Sequence, residues 1–131
     1  MDFLNFKAGV ATLEIINPAT GQGTGLKLDM LYFRDEKVKP HYEDYAKKIQ
    51  AARSMGKDEA VINALEDERG LTCLAKSVVG WEWGDNTLDG KVPDFCEANV
   101  VELLKNDEVF AQAEVFTITK SNFFKGLNTG S

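Results

Sequence analysis

Apolar and polar positions alternate from Leu26 onward: Leu26, Leu28, Met30 and Tyr32 fall on one face, Lys27, Asp29, Leu31 and Phe33 on the other. Period two over this length predicts a strand with one buried face. Upstream, Ala11-Thr12-Leu13-Glu14-Ile15-Ile16 is a short run rich in β-branched residues. Between the two lies Asn17-Pro18-Ala19-Thr20-Gly21-Gln22-Gly23, where Pro18 fixes φ and the glycines permit φ > 0. The two runs predict a β-hairpin.

The period changes at Pro40, a residue suited to a first helical turn because its missing N–H would be unpaired there anyway. Tyr42, Tyr45, Ala46, Ile49, Ala52 and Met55 then recur at three- and four-residue spacing, and Gly56 supplies a C-terminal stop. Asp58 is placed to cap a second helix with apolar positions Val61, Ala64, Leu65, Leu71, Leu74, Ala75, Val78 and Val79. Gly70 predicts a kink or break in it, and Gly80 its end. Trp81–Phe95 reads as a connector with turn signals at Asp85-Asn86 and Asp89-Gly90. Asp94 and Glu97 have the spacing of a capping box before a short helix through Val100, Val101, Leu103 and Leu104. Asn106-Asp107 recaps a last helix carrying Val109, Phe110, Ala113, Phe116 and Phe123, with a strand over Val115–Thr119 as the alternative. The expected fold is α+β and mainly helical, an N-terminal β-hairpin packed on three or four α-helices. Residues 1–125 form the expected single domain and 126–131 a flexible tail.

Composition narrows the function classes. With 131 residues, one core is the expectation, burying roughly two-thirds of the surface the unfolded chain exposes. The 44% hydrophobic and 27% charged content is that of a globular chain rather than a disordered one. Fifteen basic against 21 acidic residues leave a net charge of −6, which argues against a nucleic-acid partner. The cationic run Lys37-Val38-Lys39 reads as a solvated helix start. Cys73 and Cys96 form no C-x-x-C pair, and together with the lone His41 they offer too few ligands for a zinc site. Their apolar neighbours Leu74 and Phe95 predict buried, reduced thiols, as in the cytoplasm. No signal peptide opens the sequence, and nothing approaches the run of about 20 apolar residues that a membrane span needs.

Candidate chemistry is sparse. His41 lies beside Tyr42 and Glu43 with no nucleophile motif to serve, so a solvent-exposed role is expected. Gly21-Gln22-Gly23-Thr24-Gly25 lacks both the Lys-Ser/Thr of a phosphate loop and the helix that should follow it. It reads as a hairpin tip. Glu66-Asp67-Glu68 are consecutive on a helix and so face different directions, which suits solvent better than a cation. A hydrolase or ligand site at Asp85 and Asp89 lacks any group to orient those acids. No catalytic, cofactor-binding or metal-binding residue is therefore assigned.

The apolar connector is more informative. In Trp81-Glu82-Trp83 the expectation is that Trp81 fills the core and Trp83 anchors a partner, since Trp is enriched at binding hot spots. Phe123-Phe124 divides the same way, one ring in the core and one exposed. Trp83, Phe123 and Phe124 are thus the candidate partner-binding residues, and Gly80, Trp81, Asp89, Gly90, Pro93 and Phe95 the structural ones. The aromatic residues near both termini, Phe3, Phe6, Phe123 and Phe124, are the basis for expecting homo-oligomers.

The order Val78-Val79-Gly80-Trp81, Leu88-Asp89-Gly90-Lys91-Val92-Pro93-Asp94-Phe95, Glu97-Ala98-Asn99-Val100, Leu103-Leu104 and Asn122-Phe123-Phe124 has a further implication. Together with the opening strand and turn over Leu13–Gly21, it resembles the tail assembly chaperones of long-tailed, siphovirus-type bacteriophages. Cys96 departs from the pattern, standing where a Ser or Thr cap is expected. The resemblance implies a chaperone of the host cytoplasm that binds the tape measure protein, keeps it soluble and helps recruit major tail tube protein. It implies absence from the mature virion and no cofactor, membrane or nucleic acid. The alternative is a tail-completion or head–tail adaptor protein that stays in the particle.

Overall fold

A computed structural model of the chain describes residues 8–124. The expected tail over 126–131 and the aromatic residues Phe3 and Phe6 lie outside the described residues. The elements in chain order are β1 (Ala11–Ile16), β2 (Gly23–Met30), α1 (Lys39–Ser54), α2 (Glu59–Ser77), β3 (Val78–Glu82), α3 (Glu97–Leu104) and α4 (Asp107–Ile118). A short 3-10 turn over Lys120–Asn122 follows. The fold is α+β, with the expected N-terminal hairpin and four helices.

The hairpin belongs to a three-stranded antiparallel sheet of order β1-β2-β3, which makes β2 its centre. Leu26, Leu28 and Met30 face the helices and are buried, as their alternation predicts. Leu13 and Trp81 flank Leu28 across the sheet. On the opposite, solvated face Lys27 lies in register with Glu14 and Glu82, and the Glu14 carboxylate accepts from the Gly25 N–H at 3.0 Å. Beside it, the Thr12 hydroxyl donates to Asp29 Oδ1 at 2.7 Å.

The third strand is a correction to the reading of Val78 and Val79 as the end of a helix stopped by Gly80. Helix α2 ends at Ser77, whose hydroxyl donates back to the Cys73 carbonyl at 3.0 Å. The chain then enters β3 with no loop. Apolar residues at three- and four-residue spacing continue across the junction, so periodicity alone hides it. What decides is the open side of β2, where Asp29 pairs with Gly80 and Lys27 with Glu82. The register skips Val79 between Gly80 and Val78, a bulge that leaves this residue 43% exposed.

Helix α2 runs unbroken through Gly70, which lies against the Phe110 ring of α4 rather than marking a kink. Its start is as expected: Asp58 Oδ1 accepts from the Val61 N–H at 3.1 Å. Pro40 sits in the first turn of α1, and Gly56 with φ +70° follows the end of that helix. Ile49 and Ala52 of α1 pack on Ile62 of α2 in a small cluster separate from the main core.

At α3 the expected capping box does not form. Cys96 is the N-cap and supplies no side-chain bond, while the Asp94 carbonyl accepts from the Asn99 carboxamide at 2.9 Å. Asn106 does cap α4, accepting from the Glu108 and Val109 N–H groups at 3.1 Å each. Residues Val115 to Ile118 are helical, so the strand alternative is not adopted. Thr117 is buried because it works as a tie, its hydroxyl donating to the Leu31 carbonyl at 2.8 Å. Phe123 lies beyond α4, after the 3-10 turn.

The indole of Trp83 belongs to the main core and that of Trp81 packs against it from a half-buried position. Trp83→Ala is therefore expected to destabilise the fold by about 3–5 kcal/mol, as large buried aromatics do. Trp81→Ala should cost clearly less. Denaturant unfolding of both variants checks the order, and equal losses would contradict it.

Candidate partner-binding surface

None of the three expected partner-binding residues is a free anchor. Trp83 is only 6% exposed, which reverses the assignment of the core to Trp81 and the surface to Trp83. Phe123 is buried, with its ring centroid 5.5 Å from both Tyr32 and Phe116. Phe124 is half-buried and meets Tyr32 edge-on at 5.6 Å. Tyr32 is thus the hub that closes the C-terminal aromatics onto β2.

The exchange of roles between the two tryptophans has a local cause. Gly84 has φ +58° and Gly25 has φ +85°, and the two backbones are in contact. A Cβ on Gly84 would stand 3.0 Å from the Gly25 carbonyl oxygen. The Asn86 carboxamide then donates to the Thr24 and Trp83 carbonyls, each at 2.8 Å. This clasp folds the chain after β3 against the hairpin and puts the Trp83 ring beneath it. Its indole N–H has no oxygen or nitrogen partner among the described residues. Its aromatic neighbour is Trp81, perpendicular at 5.4 Å.

Of the expected structural residues, Gly80 lies opposite Asp29, and a Cβ there would reach within 3.0 Å of the Asp29 carboxylate. Asp89 and Gly90 have φ of +53° and +85°. They make the two-residue turn that Asp-Gly favours, with Leu88 and Lys91 bonded across it at 2.8 and 3.3 Å. Pro93 is half-buried. Phe95 is 45% exposed, stacked edge-on against Trp81 at 5.3 Å, so it covers the core from outside rather than filling it.

The thiols also separate: Cys73 is buried as expected, but Cys96 is exposed because the N-cap of α3 lies at the surface. His41 is partly buried instead of fully solvated. Asp85 and Asp89 are exposed, and no group of three or more His, Cys, Asp or Glu residues is gathered among the described residues. Nor is any described helix long and apolar enough to cross a membrane.

Uncovered apolar surface is found instead on α4. Its sequence, DEVFAQAEVFTI, is apolar on more than one side. Val109, Ala113 and Thr117 face the core, while Val115 and Ile118 are 62% and 52% exposed. With Ala111 these make a stripe at i, i+4 and i+7. Between this stripe and β1 runs a groove of about 420 Å³ lined by Leu13, Ala111, Gln112, Val115, Phe116 and Thr119. Helix α4 carries Asp107, Glu108 and Glu114 and no base. The sequence signal for this surface was the all-round apolarity of the helix, masked by the possibility of a strand over Val115–Thr119.

A second cleft of about 590 Å³ opens at the start of α1, lined by Phe33, Arg34, Lys39, Tyr42 and Glu43. The Arg34 guanidinium lies over the Phe33 ring at 5.6 Å. Burial pushes the Tyr42 phenol above its ordinary value, Cys73 and Glu114 add to the rise, and Arg69 opposes it. Burial likewise pushes the Cys73 thiol up, with Arg69 again opposing. Both groups are thus favoured neutral in the fold. Stability should be unaffected below their ordinary ranges and fall as pH rises through them toward the raised values. Thermal melts of wild type and Tyr42→Phe across alkaline pH test this. The variant should lose less stability than wild type over the phenol range, and parallel declines would contradict it.

No protein-family model, curated protein or solved structure matches the chain.

Proposed function

We propose that the protein is a tail assembly chaperone of siphovirus type, acting in the cytoplasm of an infected or lysogenic bacterial host. It binds the tape measure protein, keeps that long chain soluble, helps recruit tail tube subunits and leaves before the virion is complete. The sequence resemblance supplies the identity of the partner. The observation that carries the reading is the uncovered stripe of Ala111, Val115 and Ile118 on an acidic helix whose other side is fixed in the core.

Such an arrangement suits holding a partner in solution. An apolar stripe set on a rigid element covers exposed apolar surface that would otherwise self-associate. The surrounding carboxylates and the net charge of −6 keep the complex dispersed. Release requires no fuel if polymerising tube subunits compete for the same partner surface.

Co-expression with the tape measure protein of the same genome should raise the soluble fraction of that protein, and the two should co-purify. Val115→Asp should reduce both effects. Stoichiometric recovery of this chain from purified mature particles would contradict the chaperone reading and favour an adaptor retained in the particle.

A further inference from the structure

We infer that the free edge of β1 is a docking site for an extended protein segment in which apolar residues alternate with Lys or Arg. The inference stands on the geometry of β1 and α4 and does not rest on the identity of the partner.

Strand β1 is the outer strand on its side of the sheet. At its end the Ile16 N–H donates to Gln112 Oε1, and the Ile16 carbonyl accepts from Gln112 Nε2, both at 2.8 Å. The side-chain amide of Gln112 thus stands where a neighbouring strand would place a peptide group. The register moves from Glu14 opposite Lys27 to Ile16 opposite Gly23, so the extra residues lie in β2 and β1 itself stays regular. Period two then directs the main-chain groups of Thr12 and Glu14 outward, on the same side as those of Ile16. Ile15 points the other way, its carbonyl accepting from the Thr24 hydroxyl at 2.7 Å. Among the described residues, no bond from that outer side reaches the main chain of Thr12 or Glu14.

The groove beside Leu13 lies along this edge. A segment added to β1 would direct alternate side chains toward the helices, over Ala111, Val115 and Phe116, and the others toward solvent. Charge selects the occupant. Asp107 and Glu108 stand one turn before Ala111 and Gln112 on α4, Glu108 Oε1 accepting from Gln112 Nε2 at 3.1 Å, with Lys120 beyond the end of the helix. A second copy of the chain would bring the same acids to the interface, whereas a basic segment neutralises them.

The test titrates the full chain into a fluorescently labelled peptide of alternating valine and lysine. Three comparisons accompany it: a valine–glutamate peptide, the valine–lysine peptide N-methylated at alternate residues, and the Val115→Asp and Val61→Asp variants. Val61 is exposed on α2, away from this edge, and controls for the substitution itself. The valine–lysine peptide should bind. N-methylation or Val115→Asp should each weaken it about tenfold or more, since each removes main-chain bonds or apolar contact. The valine–glutamate peptide should fail, and Val61→Asp should bind like wild type. No binding of the parent peptide, or equal binding after N-methylation or in Val115→Asp, would overturn the inference. So would concentration-dependent dimerisation that the peptide does not compete with, which would assign the edge to a second copy. Capture of the tape measure protein by a chain that does not bind the peptide would overturn this inference while leaving the proposed function standing.

Discussion

The contact between Gly25 and Gly84 sets the arrangement of the whole sheet and what packs beneath it. Both residues occupy the left-handed region, and a Cβ on Gly84 would stand in tight contact with the Gly25 carbonyl oxygen at 3.0 Å. Asn86 locks the approach by bonding the Thr24 and Trp83 carbonyls. With the chain held there, β3 completes the open side of β2, and Trp83 enters the core beside Leu26 and Leu103. The connector after β3 is therefore anchored at its root, and its Phe95 extends a perpendicular aromatic ladder through Trp81 of β3 to the buried Trp83 ring.

One consequence is an asymmetry between the two edges of the sheet. The β3 side is succeeded by the clasp and the aromatic ladder. On the β1 side, a single glutamine amide occupies the last position, and the remaining outward groups border an apolar groove. Proteins commonly blunt an exposed edge with charge or with a covering element. Here Asp107 and Glu108 of α4 do part of that work, which permits a basic segment and disfavours a second acidic chain.

Much of the fold was legible from local chemistry. Alternation at Leu26–Met30 located the buried face of β2, although Leu31, beyond the strand, is buried as well; Pro40 located the start of α1, and Asp58 and Asn106 the caps of α2 and α4. What stayed hidden depends on distant partners. Val78 and Val79 satisfy helical spacing as well as strand propensity, and only the open side of β2 chooses between them. Trp81 and Trp83 are chemically identical, and their depths are set by cross-strand pairing with Leu28 and by the glycine contact. Asp94 offered a cap at the right spacing, but the helix begins one residue after Cys96. The candidate surface was obscured for a related reason. The alternative of a strand over Val115–Thr119 left Val115 and Ile118 without a side, and in the helix that forms the core is filled from the other side by Val109, Ala113 and Thr117.

The central claim is that the outer edge of β1 is available for pairing. Amide hydrogen exchange of the free full chain, resolved by residue, tests it most directly. The account predicts slow exchange at Leu13, Leu28, Asp29 and Gly80, whose N–H groups bond between strands, and fast exchange at Thr12 and Glu14. Protection of Thr12 and Glu14 equal to that of Leu28 would contradict it, because their amides would then already be engaged.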